Sequence, residues 1–301
     1  MQISTNAYFR SQTENIQDLK TQTVKLQETI ATGKQVNIAS DDPVAFSDLA
    51  MLKARDSRLK QYGRNIDVAR QRLSLEESSL SQATNILTRL HELSIQGSND
   101  TLNASDRKLM ANEVKGLSKS LMGLANTLDA NGLPIFGGFQ SGLPFQQATE
   151  DGPVFYKGDA YEVEQAVGDH ERVTVGFSGH EVFDRVPMGS GPSKSVFDIV
   201  KSMGDALANG ETPATGKDEI NAALDHITGQ LALVGSRTAI LDSAQEKLDS
   251  SKTSTTAQIS LLEDTDMEKA ISELKQKLTT LDAAQASFVK IAELSLFNYL
   301  K

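Results

Sequence analysis

Apolar residues recur along this chain at alternating intervals of three and four. Phe9, Ile16, Leu19, Leu26 and Ile30 fall on one such stripe, with Thr23 as the polar member in its middle. From residue 52 every seventh position is apolar: Leu52, Leu59, Ile66, Leu73, Leu80 and Leu87. Tyr62, Ala69, Ala83 and Leu90 supply companion positions, and Arg55 and Glu76 interrupt the seam. A third stripe, Val114, Leu117, Leu121, Leu124 and Leu128, follows the polar loop GSNDTLNASD. A fourth runs through Ile220, Leu224, Ile227, Leu231, Val234, Thr238, Leu241 and Leu248, and continues to Ile259 and Leu262. The fifth is Ile271, Leu274, Leu278, Leu281 and Phe288. Such spacing predicts long helices that meet along narrow seams, in a coiled coil or a long bundle. After Pro43 no proline intervenes before residue 97, which allows a helix of roughly 80 Å at 1.5 Å per residue.

The middle of the chain breaks this pattern. Residues 132–192 hold 11 of the 21 glycines and 5 of the 7 prolines, so long helices are excluded there. The run PVFYKGDAYEVEQAVGD alternates in short stretches, with Gly158-Asp159 and Gly168-Asp169 as turn candidates, and ERVTVGF adds another strand. The expected insert is a small antiparallel β domain. After it, Ser195 is placed to cap a short helix, VFDIVKSMGDALA. The expected fold is mainly α: an elongated rod of long antiparallel coiled-coil or bundle helices carrying that β domain.

Composition narrows the function classes. The chain has 30 Lys and Arg against 40 Asp and Glu, a formal charge of −10, which disfavours nucleic acid as a partner. It has no cysteine, which removes disulfides, thiolate metal sites and cysteine nucleophiles. Aromatic residues make up 5%, low for a large round core and suited to a narrow seam. The N-terminus has no basic region followed by an apolar core, so no cleavable secretory signal is visible. No apolar run reaches the roughly 18 residues of a membrane span.

Several passages approach catalytic motifs and fall short. HELSI at 91 and HEVFD at 180 resemble the helical zinc-protease motif, but Ile95 and Asp184 stand where the second histidine is required. His170 and His180 lack further conventional ligands, and the second motif lies where no helix is predicted. GGFQSGLP, residues 137–144, has the glycine spacing of a phosphate loop without its lysine and hydroxyl. No G-x-S-x-G elbow is present. The sequence therefore predicts no catalytic residues, no metal site and no cofactor.

The paired carboxylates Asp41 and Asp42 read best as a helix start. Pro43 suits the first helical position, Asp42 the N-cap, and Asp41 adds negative charge near the positive helix end. A second acidic turn, LLEDTDMEKA, gives Thr265 and Glu268 capping-box spacing, flanked by Asp264 and Asp266. About 40 residues precede the first break and 37 follow the second. The expected organisation is thus a terminal helix pair from 1–40 and 264–301, a helical rod from 41–131 and 193–263, and the β domain at 132–192.

ATGKQVNIASDDPVA, residues 31–45, resembles the N-terminal signature of the bacterial flagellin superfamily. SDDPVAF (40–46), LLEDTDMEKAISEL (261–274) and GSRTAILDSAQ (235–245) are similar to family passages too. LPIFGGFQSGLPF (133–145) and AELSLFNYL (292–300) favour the hook–filament junction branch over a flagellin or minor filament subunit. The resemblance implies a structural axial subunit of an extracellular bacterial flagellum. It also implies self-assembly into a ring, contacts with a hook-side hook-associated protein and with flagellin, an export chaperone, and type III export without signal cleavage. In this family the terminal helices fold on assembly. The implied assembly interface comprises Ile16, Leu19, Leu26 and Ile30 on the first helix. On the last helix it comprises Leu274, Leu278, Leu281, Phe288, Leu294, Leu296, Phe297 and Leu300.

Overall fold

The structure is a computed structural model; it describes residues 2–149, 152–189, 191–213 and 216–299, with side chains from residue 7 to residue 292. Six α-helices dominate: α1 (Gln2–Thr32), α2 (Pro43–Gly97), α3 (Ala104–Ala125), α4 (Val196–Ala208), α5 (Gly216–Glu263) and α6 (Met267–Tyr299). Four short strands lie between α3 and α4: β1 (Phe145–Gln147), β2 (Val154–Tyr156), β3 (Val163–Ala166) and β4 (Arg172–Gly176). The fold is mainly α with small antiparallel strand pairs. The chain divides into two compact units, Met1–Arg58 with Ser251–Lys301, and Leu59–Ser250. The division falls inside α2 and α5, each of which contributes residues to both units.

In the terminal unit α1 and α6 run antiparallel. Phe9 meets Phe288 edge to face, with ring centroids 5.6 Å apart. Further along, Lys277 Nζ donates to Gln22 Oε1. The inward stripe of α1 is the one expected from its spacing, with Ile16, Leu19, Leu26 and Ile30 half-buried. Thr23 lies buried in its middle and returns its hydroxyl to the Leu19 carbonyl, so the polar member costs no unmet hydrogen bond. The α6 stripe divides. Ala270 and Leu281 are buried and Leu274 and Phe288 half-buried, whereas Ile271 and Leu278 are exposed. A 3-4 spaced set covers a broad arc of a helix, and only one edge of that arc reaches a single partner.

The larger unit has one continuous core. Ile66, Leu73, Leu80 and Leu87 of α2 share it with Val114 and Leu121 of α3, Phe197 and Val200 of α4, and Val234 and Leu241 of α5. Asn103 caps α3, accepting from Asp106 N at 2.9 Å, and the helix ends at Ala125, leaving Leu128 exposed beyond it. Ser195 caps α4 through its hydroxyl and Phe197 N. The strands form two separate hairpins, β1–β2 and β3–β4. Phe136, Phe145, Val175 and Phe183 send their side chains into the helical core. The turn at Gly168-Asp169 joins β3 to β4 as expected. Gly158-Asp159 does not close a hairpin, because β2 and β3 are not paired. Instead Asp159 reaches back twenty residues, accepting from Phe139 N. His180–Asp184, expected to be irregular, makes one π-helical turn.

Glu76, the interruption in the α2 seam, is 0% exposed. Its Oε1 lies 3.8 Å from Arg72 Nε and accepts a long bond from Phe177 N at 3.4 Å, while Oε2 has no partner among the described residues. Arg72 Nη2 donates to the Ile135 carbonyl at 2.9 Å. Arg237 of α5 lies over the Phe177 ring at 3.8 Å and pairs with Glu162. Gly176 leaves room for this cluster, since a Cβ there would stand 3.1 Å from Arg72 Nη2. Glu76 and Arg72 thus tie the strand region to α2, and Arg237 holds the same region from α5. Burial dominates the two guanidinium charges and pushes the Glu76 carboxyl up to about 8.

Candidate assembly site at the acidic turns

Gly33 ends α1 with φ of 71°, a left-handed conformation that glycine adopts freely. Its carbonyl accepts from Thr265 N at 2.9 Å, and Gln35 N donates to the Glu263 carbonyl at 2.8 Å. A short antiparallel bridge, Lys34 to Asp264, therefore joins the two turns across more than two hundred residues of sequence.

The first turn follows the expected design and adds to it. Asp42 Oδ1 accepts from Val44 N and Ala45 N, both at 3.0 Å, with Pro43 as the first residue of α2. Asp41 does more than supply charge. Its Oδ2 accepts from Asn37 N and Ile38 N at 3.0 and 3.1 Å, and its Oδ1 meets Lys25 Nζ of α1 at 2.7 Å. That lysine bond, with the two backbone donors, holds the Asp41 carboxyl at about 2.

The second turn is capped differently from the expected box. Asp266 Oδ1 accepts from Lys269 N at 3.1 Å, so Asp266, and not Thr265, caps α6. Thr265 Oγ1 has no partner among the described residues, and its backbone N–H is taken by Gly33. The bridge to the first turn claims Thr265 and moves the helix start one residue on. Glu268 stays in the first turn of α6, exposed, where its charge suits the helix end. Asp264 bonds the Ser260 hydroxyl.

The centre of the site is a residue that spacing did not single out. Glu263 is 7% exposed, and its Oε1 receives Lys34 Nζ at 2.6 Å and Lys53 Nζ at 2.9 Å. The two lysines hold its carboxyl below the ordinary range, Lys34 foremost. A small cleft of about 190 Å³ lies beside it, lined by Val36, Phe46, Leu49 and the same charged groups. The only available sequence signal was the pair of lysines in TGK and LKA, at no fixed spacing from the glutamate.

Around this joint apolar side chains stand in the open. Ile38, Val44, Met51 and Leu261 are exposed, Leu261 at 80%. On α6, Ile271, Leu278, Val289 and Ile291 are exposed as well. Of the residues expected at an interface, Leu281 is buried, Ile16, Leu19, Leu26, Ile30, Leu274 and Phe288 are half-buried, and Leu278 is exposed. Leu300, and the side chains of Leu294, Leu296 and Phe297, lie outside the described residues. Among the described residues no cluster of three His, Asp or Glu is placed to hold a metal ion. His180 instead faces Asp184 at 3.5 Å. The site is one of helix ends, ion pairs and exposed apolar surface, suited to holding a chain reversal and contacting other proteins.

Comparison with known proteins bears on which ones. Residues 3–141 match the bacterial flagellin N-terminal helical region, and residues 218–300 its C-terminal helical region. The chain is 31% identical to the flagellar hook-associated protein 3 of Escherichia coli (strain K12), with 100% of both chains covered. It is 30% identical to the protein of that name from Salmonella typhimurium, with 99% of both covered. The crystal structure of flagellar hook-associated protein-3 from Legionella pneumophila shares the fold, with a TM-score of 0.65 at 22% identity. That likeness covers 71% of this chain and 98% of the other.

Proposed function

The chain belongs to the bacterial flagellin family, in its hook-associated protein 3 branch, and from that premise we propose that it joins the hook-side hook-associated layer to the flagellin filament. It is a structural component of the flagellum. In the proposed role copies assemble into a ring that accepts a hook-associated protein on one side and flagellin on the other. The subunit leaves the cell through the type III apparatus, unfolded and without signal cleavage, with a chaperone holding its C-terminal segment. It then resides outside the cell at the hook–filament junction.

The observation that carries this reading is the terminal helix pair. Among the described side chains of its seam, Thr23, Ala270 and Leu281 alone are buried, the other apolar members are half-buried, and α6 keeps Ile271, Leu278 and Val289 exposed. Two long helices sharing so shallow a contact gain little with which to offset their ordering entropy. Neighbouring subunits would bury both the seam and the open face, so folding of this unit and assembly become one event.

Immunogold labelling of isolated flagella tests the placement. A single band of label at the hook–filament boundary supports the junction. Label along the whole filament supports a filament subunit instead.

A further inference from the structure

Methionine is unevenly distributed between the two units. The chain has seven, of which Met1 lies outside the described residues. In the larger unit Met110 and Met203 are core residues, 8% and 1% exposed, and Met122 and Met188 are half-buried against the same core. The terminal unit shows both of its described methionines to solvent, Met51 at 63% and Met267 at 41%.

Each of the two stands among other exposed apolar side chains. Met51 follows Val44 by seven residues, about two helical turns, so the two share one face of α2, and Val44 is exposed as well. Met267 opens α6, four residues before Ile271 and eleven before Leu278, which sets it at the head of the exposed stripe of that helix. With no cysteine and no tryptophan in the chain, an exposed thioether is its most readily oxidised side chain.

We propose that Met51 and Met267 are sites of reversible oxidation by peroxide, and that their sulfoxides keep the free chain from assembling while the larger unit stays folded. This rests on the reading of the chain as a self-assembling flagellar subunit. In the step itself a sulfur lone pair attacks one oxygen of hydrogen peroxide. The S–O bond forms as the O–O bond breaks, sulfur gives up two electrons, and the other oxygen leaves as hydroxide and takes a proton to become water. The product puts a strong dipole and a hydrogen-bond acceptor on faces otherwise built of Val44, Ile271 and Leu278. Burying such a face against a neighbour strips water from the sulfoxide oxygen, which opposes the contact. In the free chain both positions meet solvent, so the oxidised side chains cost the fold itself little. Methionine sulfoxide reductases, one for each epimer, restore the thioether.

Two experiments test this. Purified full-length chain is treated with dilute hydrogen peroxide and its peptides are read by mass spectrometry. Met51 and Met267 are expected to gain oxygen roughly tenfold faster than Met110 and Met203, with no change in the melting of the larger unit. Equal rates at all four would overturn the site assignment. Cells making the native chain, or a Met51→Leu/Met267→Leu variant that keeps the apolar volume, then grow flagella with and without peroxide. The native chain recovered in isolated flagella is expected to fall several-fold with peroxide and to lack the sulfoxides that chain in the medium carries, whereas incorporation of the variant holds. The proposal is overturned if chain in flagella carries those sulfoxides in the same fraction as chain in the medium, a comparison that needs no variant. It is overturned too if native and variant chains fall alike. Should the native chain be missing from flagella grown without peroxide, the reading of it as a flagellar subunit fails instead.

Discussion

Replacing Glu76 with glutamine should stabilise the larger unit, and by more as the pH rises. The Glu76 carboxyl is wholly buried, one oxygen is unpartnered, and the nearest guanidinium nitrogen stands 3.8 Å away. Its folded-state value is raised from 4.5 to about 8. The folded unit therefore holds a proton that the unfolded chain has already released between those pH values. Stability from this group is complete below pH 4.5, falls through the window, and levels off above about 8. Each pH unit inside the window costs about 1.4 kcal/mol, so the whole of it amounts to on the order of 5 kcal/mol. Glutamine copies the shape of the protonated acid and cannot ionise. The Glu76→Gln variant should match the native chain near pH 4.5 and exceed it by about 3 kcal/mol at pH 7. By pH 9 the gap should reach its full size. Urea unfolding of both proteins at pH 5, 7 and 9 reads this directly, with β4 and the Ile135 turn as the regions to follow by hydrogen exchange. A variant that is less stable than the native chain, increasingly so at higher pH, would refute the reasoning. It would mean that Arg72 and Arg237 keep Glu76 ionised in the fold.

Other expectations concern the terminal unit. Asp42→Ala removes two backbone acceptances at the start of α2 and should cost about 1 kcal/mol, whereas Asp42→Ser should restore most of it, as read by protease resistance of residues 33–58. Gly33→Ala forces a side chain into a left-handed conformation and should cost about 1 kcal/mol, seen as faster hydrogen exchange at Gln35 and Thr265. Glu263→Gln frees Lys34 and Lys53 and should open the bridge between the turns without altering the melting of the larger unit. Acid should mimic it: the carboxyls of Asp41 and Glu263 are both lowered in the fold, so their contribution is present above pH 4.5 and is lost as pH falls toward 2. Exchange at Asn37 and Ile38 that does not change over that range would contradict the role given to Asp41.

Periodic burial along a single helix is legible in a sequence, and the partner of each face is not. The α1 stripe and the long run of α2 follow directly from 3-4 spacing, as does the Asp42–Pro43 start. Leu274 and Leu278 share one stripe by spacing, yet Leu274 is half-buried and Leu278 more open, because a helix in a pair covers just part of its apolar arc. The cap of α6 was displaced from Thr265 to Asp266 by a backbone bond from Gly33, a contact that no local motif encodes. Glu263 was invisible for the same reason, since its two lysines come from distant segments, Lys34 from the turn after α1 and Lys53 from α2. Glu76 was visible as a break in a seam, but its meaning depends on Arg237 and Phe177, which arrive from elsewhere in the chain. The chain bends at Gly158-Asp159 as its composition suggests, but the flanking strands do not pair, and Asp159 serves Phe139, twenty residues earlier.

Deleting the gene and assaying the culture supernatant for monomeric flagellin tests the central claim most directly. Cells that keep their hooks, lack filaments and leak flagellin are the predicted result, because filament growth would have no junction on which to start. Filaments that persist, or that vanish without leaked monomer, would contradict it.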